Sequence, residues 1–269
     1  KPRISVHVAA PTPDTVWDIL TQYLKITDRS HINPKMFNSF LDGTKSGIEM
    51  TAVCNATGLV PQTNGLSFPP ASRFELADVC KPKSEGGVLE KKGVTEVVSS
   101  LTRDGKDVPH HLAMGTYVVI ESESPYAAQC FVEYNCLADK SGKYATMYRP
   151  THMIGLELGI SVASVALRKE PTGTTICFNS DVAATAKRAL KAGEMLDGEG
   201  GFTVWGKQVP ADVSLKEGYL PLGLAHSVKL KNSIAEGQPL RWSDVAVDTA
   251  SQAVKVRREM EAMFARPNI

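Results

Sequence analysis

The chain is short of the features that announce most chemistries. Its five cysteines, at 54, 80, 130, 136 and 177, are an odd number with no close pair of the zinc or redox type. Cys54, Cys130 and Cys177 stand among apolar neighbours and are expected as buried thiols in a reduced, cytoplasmic protein. No apolar run approaches a membrane span and no signal peptide opens the chain, so no membrane partner is expected. Thirty basic against 29 acidic residues leave a net charge of +1, which gives no footprint for nucleic acid. There is no G-x-G-x-x-G after a strand, no Walker A, no G-x-S-x-G and no H-E-x-x-H. Gly198-Glu199-Gly200-Gly201 is glycine-rich, but it opens no helix and reads as a turn.

What is present is 269 residues with 42% hydrophobic content, enough for a sizeable core or two domains. The stretch from residue 33 to 58 organises the reading. It opens with irregular backbone crowded by Asn33, Lys35, Asn38 and Ser39. It passes through Asp42-Gly43 into a helical pattern and stops at Gly58, a usual helix C-terminal signal. At 3.6 residues per turn, Asp42, Lys45, Glu49, Ala52 and Ala56 share one side. Charges beside small residues leave room for a ligand. The plainer alternative is a solvated face with an ordinary Lys45–Glu49 pair.

Taken in order, residues 3–9 alternate as a strand with no preamble, so the chain reads as a piece of something longer. A helix follows from Val16 to Leu24, and a long loop after Gly58 holds Pro61, Gly65 and Pro69-Pro70. Strands are expected at 94–101, 115–121 and 143–149, the first preceded by Lys91-Lys92-Gly93. Ser124-Pro125 starts a helix, cap then proline. Residues 151–170 read as a long helix, apolar all round and therefore buried, with Glu157 as its one early charge. Tyr148, Arg149 and His152 at its start suit an anionic group such as phosphate; the alternative is a structural arginine and a surface histidine.

From about residue 178 glycines and short strands dominate. KRALKAGEMLD (187–197) matches KNSIAEGQPLR (231–241), an internal repeat that implies a small pseudo-symmetric β unit. Residues 251–266 form a last helix with Val256, Met260, Met263 and Phe264 as its apolar stripe and a solvated charged face. The expected fold is α+β: a 1–175 substrate and dimerisation domain with a mostly antiparallel sheet, a 176–250 β-clip, and a C-terminal helix over 251–269.

The runs NPKMFNSFLDGTKSGIEM…NATG, KGVTEVVSS, MYRPTHMIGLELGISV and AATAKRALKAGEMLDGEGGFTVWGK resemble bacterial proteins related to homoserine dehydrogenase that end in a SAF domain. One branch is similar to 1-deoxy-D-xylulose 5-phosphate reductoisomerase (DXR-like). The resemblance covers nearly all of residues 10–260. It implies an NAD- or NADP-dependent oxidoreductase whose nucleotide-binding domain precedes residue 1, and a homodimer. Homoserine dehydrogenases carry an Asp and a Lys four apart on the matching helix. Here the matching positions hold Lys45 and Glu49, a reversed order that implies a different substrate.

The expected function is thus the catalytic half of such an enzyme acting on a small anionic substrate, a sugar phosphate for the reductoisomerase branch. Other keto acids or sugar acids are alternatives, as is a non-catalytic SAF-type carbohydrate or protein-binding module. Lys45, Glu49 and Asp42 are the catalytic candidates. Asn33, Lys35, Asn38, Ser39, Lys92, Arg149 and His152 are the substrate-binding candidates. The resemblance also allows a divalent metal, with no ligands named.

Overall fold

A computed structural model describes residues 11–25 and 27–265; the expected strand at 3–9 lies outside them. Helix α1 (Val16–Leu24) buries Val16, Ile19 and Leu20 against Leu41 and Phe37. The segment expected to be irregular is helix α2 (Pro34–Leu41). Asn33 caps it, its side-chain oxygen accepting from the amides of Lys35 and Met36, and Pro34 takes the first turn. Gly43, at φ +87°, breaks the path, and helix α3 (Thr44–Thr57) follows to Gly58. Its start is fixed by Asp42, whose carboxylate accepts from the Thr44 amide at 2.9 Å.

Helix α4 (Leu76–Val79) is a single buried turn. Strand β1 (Thr116–Glu121), helix α5 (Pro125–Glu133), strand β2 (Leu137–Ala138) and strand β3 (Tyr144–Arg149) follow. They build an antiparallel sheet of order β1-β3-β2, with Thr116 opposite Arg149 and Glu121 opposite Tyr144. Residues 94–101 are not a strand of that sheet. They make isolated bridges, Val94 with Val60, Ser99 with Pro70 and Leu101 with Asp107.

The long apolar helix expected over 151–170 is neither long nor buried. Helix α6 spans Leu158–Ala163 and passes into a wider π turn, Ser164–Arg168. Leu156 is 81% exposed and Leu167 82%. Side chains apolar on all sides need cover on all sides, and nothing among the described residues provides it.

Strands β4 (Ser180–Ala186), β5 (Met195–Asp197) and β6 (Val204–Pro210), helix α7 (Ala211–Glu217), and strands β7 (His226–Leu230) and β8 (Val245–Ala246) form the second unit. β4 pairs with β6, and β5, β7 and β8 make a second antiparallel sheet. The repeat is visible as a local dyad. Leu190 and Ile234, equivalent in the two copies, exchange backbone hydrogen bonds of 2.9 and 3.0 Å. The equivalent glycines, Gly193 and Gly237, both at positive φ, donate to Leu230 and Ala186 respectively, each at 2.9 Å. Leu196 and Leu240, the last matched pair, lie buried in the core around Val204, Leu220 and Val245.

Helix α8 (Gln252–Phe264) closes the described chain with its faces exchanged relative to expectation. Val256, Met263 and Phe264 are exposed, and Val254 is the buried contact. Arg257 lies inward, on Asp181 at 2.5 Å and Glu261 at 2.8 Å.

α3 bridges the two units. Gly47 abuts Gly206 so closely that a Cβ would meet the Gly206 carbonyl at 2.9 Å. Thr44 Oγ1 accepts from the Gly206 amide at 2.8 Å, and Thr51 bonds Ser180 at 2.8 Å. Asn55 receives the amides of Asn179 and Ser180 and donates to the Ser180 carbonyl.

Candidate active site

The side of α3 facing away from β4 and β6 carries Lys45, Glu49, Ala52 and Ala56. Lys45 Nζ lies 3.4 Å from Glu49, with side chains 34% and 40% exposed. That charged pair is open to solvent and to a ligand, with two small exposed residues below it.

Asp42 does not share this side. It closes α2 and is fully buried, its carboxylate 2.7 Å from Lys187 Nζ. The burial pushes its carboxyl up against the pull of that ammonium. Lys187 also donates to the carbonyls of Pro11 and Gly201, so one buried cation ties three segments together. Asp42 therefore positions the start of α3 and does not reach solvent.

The polar residues before α3 are likewise engaged within the fold. Asn38 is buried and donates to the carbonyls of Gly200 and Pro11. Ser39 donates to the Met36 carbonyl, and Lys35 Nζ to the Asp197 carbonyl at 3.0 Å. The glycine-rich turn 198–201 is what α2 docks against. At Gly200, φ +67°, a Cβ would fall 2.0 Å from the Lys35 carbonyl, so only glycine allows that approach.

Arg149 and His152 come together at one end of the sheet, around Glu157. Its carboxylate lies 2.6 Å from Arg149 and 3.3 Å from His152 Nδ1. The lone charge of the apolar segment is thus partnered. Lys92 sits at the other end of β1, 2.6 Å from Glu121, which also lies 3.0 Å from Lys143. Hydrogen bonds from those two lysines hold Glu121 below the usual carboxylate range.

Two residues went unmarked in the sequence. Glu96 is buried and receives the amides of Ser67, Phe68 and Val97, the Ser67 hydroxyl and the Gln62 amide group. It orders the long loop after Gly58. Within VTEVVSSL it looks like the polar member of a strand. Arg73 lies over the Phe74 ring at 4.9 Å and the Tyr148 ring at 5.9 Å; an isolated Arg-Phe pair in a loop carries no signal.

Of the thiols, Cys54 and Cys80 are buried, whereas Cys130 and Cys177 are half-buried. Burial pushes Cys80 up to about 11 and Cys54 upward, which removes both as nucleophiles at neutral pH. Among the described residues, no group of three or more His, Cys, Asp or Glu side chains could hold a metal ion. Nor is any helix there long and apolar enough to cross a membrane.

Comparison with known families gives two matches. Residues 5–158 match the oxidoreductase DRL catalytic domain. Residues 181–246 match the SAF domain, the unit built on the local dyad. No curated protein matches the chain.

Proposed function

This chain belongs to the oxidoreductase DRL family through its catalytic domain, and from that premise we propose that it is the substrate-binding half of an NAD(P)H-dependent reductoisomerase. The reaction proposed is reduction and rearrangement of 1-deoxy-D-xylulose 5-phosphate to 2-C-methyl-D-erythritol 4-phosphate. The observation that carries the reading is Lys45. It is a half-exposed ammonium held by Glu49 on the open side of a helix whose other side is locked to the SAF unit.

The nicotinamide, when bound, supplies hydride to a carbonyl carbon. The glycine-rich turn at 198–201 is docked on α2 and offers no phosphate cradle to it. Lys45 donates a hydrogen bond and then a proton to the carbonyl oxygen as it becomes an alcohol. Glu49, 3.4 Å away, aims the ammonium. Asp42 and Lys187 fix the helix start from which Lys45 projects.

A homodimer is part of the same reading, because the outer face of the sheet exposes Val118 and Met147 and residues 153–167 expose an apolar surface. The test is full-length protein assayed with NADPH and with NADH against keto-sugar phosphates and keto acids. NADPH oxidation with 1-deoxy-D-xylulose 5-phosphate, yielding the branched tetritol phosphate, supports the proposal. Turnover confined to another keto acid or sugar acid replaces the substrate.

A further inference from the structure

The reading above needs a cation free to meet the anionic end of the substrate, and the cations picked out in the sequence are committed elsewhere. Lys35 holds the Asp197 carbonyl, Lys92 holds Glu121, and Arg149 and His152 share Glu157. Arg73 differs from all of them. Among the described residues no carboxylate pairs with it, and its Nε is buried without an acceptor. An arginine stays charged at any working pH, so a half-buried guanidinium with open N–H groups calls for an anion.

The surroundings of Arg73 are built to hold that guanidinium still. Phe74 and Tyr148 rings lie 4.9 and 5.9 Å from its central carbon, within cation–π range. Phe74 is itself steadied edge-on by His110 at 5.3 Å. The backbone of Arg73 donates to the His110 carbonyl at 3.0 Å, and Ser72 bridges to His111. His110 is held at φ +54° and Met114 at φ +66°, an uncommon backbone for side chains with a Cβ. The exposed His110 ring thus packs on Phe74, the ring that the guanidinium lies over, at the end of the sheet where β1 begins.

We propose that Arg73, lying over the Phe74 and Tyr148 rings with His110 packed on Phe74, binds the phosphate group of the substrate. This rests on the reading of the substrate as a sugar phosphate and assigns its anchoring residue. A planar fork with several open donors matches a phosphate's oxygens, and the ring contacts fix the plane of the fork before the ligand arrives. Glu157 already pairs with Arg149 and contacts His152, which gives those two side chains a structural role in holding residues 150–158.

Inorganic phosphate is the probe, titrated into the 269-residue chain at constant ionic strength with binding followed by NMR and calorimetry, so the result does not depend on turnover. Expected is saturable binding at least tenfold tighter than that of acetate. Arg73→Gln abolishes it, Arg73→Lys weakens it about tenfold, and Arg149→Gln leaves it within twofold. Circular dichroism and melting temperature confirm that each variant is folded; if Arg73→Gln is not, Arg73→Lys decides alone. Phosphate binding unchanged in the folded Arg73 variant, acetate binding equally well, or loss in Arg149→Gln instead would overturn the proposal. Phosphate binding at Arg73 without reductoisomerase turnover would leave the subsite standing and remove the proposed reaction.

Discussion

Lys45 is where the chemistry proposed here is most exposed to test. Replacing it with Met keeps much of the stem and removes the charge. In the full-length enzyme, turnover is expected to fall by about 10²-fold or more, the scale of one transition-state donor. Stability is expected to change by less than about 1 kcal/mol, since the pair it leaves is half exposed. Near-normal turnover would return this side of α3 to a solvated face. Asp139 makes the opposite kind of prediction, about stability alone. Burial pushes its carboxyl up, but Lys81 at 2.7 Å, the Tyr144 amide and the Ser141 hydroxyl bring it down to about 2 from an ordinary 3.8. A folded value below the unfolded one adds stability above pH about 4 that is lost as pH falls towards 2, on the order of 2 kcal/mol. Urea unfolding of Asp139→Asn is expected to show lower stability at neutral pH and a flatter loss between about pH 5 and 2. An acid limb parallel to that of the parent chain would show that Asp139 is not the group responsible.

Elements with strong local punctuation were legible in the sequence. α3 ends at the glycine that marks it, Ser124 caps α5 by accepting from Ala127, and the repeat pairs through its matched aliphatic residues. What could not be read was which side of an element meets the protein. α8 presents an apolar stripe outward because a buried Asp181 demands Arg257 on the inner side. Residues 94–101 have a strand composition, yet the carboxylate in their middle gathers loop amides and the backbone does not join the sheet. For the candidate site, the exposed Lys45–Glu49 pair was legible from helical spacing. Asp42 was not, because its partner is 145 residues on, at Lys187. The glycine turn at 198–201 offers a differential test of this long-range docking. Gly200 and Gly218 have similar positive φ, +67° and +64°, but an added Cβ meets the Lys35 backbone at the first and nothing within 4 Å at the second. Gly218→Ala is expected to cost about 1 kcal/mol of backbone strain. Gly200→Ala is expected to cost about 2–4 kcal/mol, because the turn must leave α2. Equal melting temperatures for the two variants would contradict the docked geometry.

At the scale of the whole molecule, the catalytic and SAF units are joined by buried polar contacts. Lys187 holds Asp42, Gly206 donates to Thr44, Asn38 reaches Gly200, and Asn55 takes the amides at the head of β4. Breaking a buried ion pair by removing one partner costs about 3–5 kcal/mol, and separating the units strands several such groups at once. The SAF unit keeps its own apolar core around Leu196, Leu220 and Leu240. The catalytic side of the contact is α3, whose buried members, Thr44, Gly47 and Cys54, offer little apolar area of their own. The catalytic unit therefore depends on the SAF unit more than the reverse. Urea unfolding of the chain, followed by tryptophan fluorescence and by circular dichroism, is expected to give one coincident transition. A fragment ending at residue 175 is expected to lose the slow amide exchange of α3, while one starting at residue 176 keeps a melting transition. Retention of protected α3 amides in the shorter front fragment would mean that α3 is stabilised from its own side. The proposed positioning of Lys45 through Asp42 and Lys187 would then fall with it.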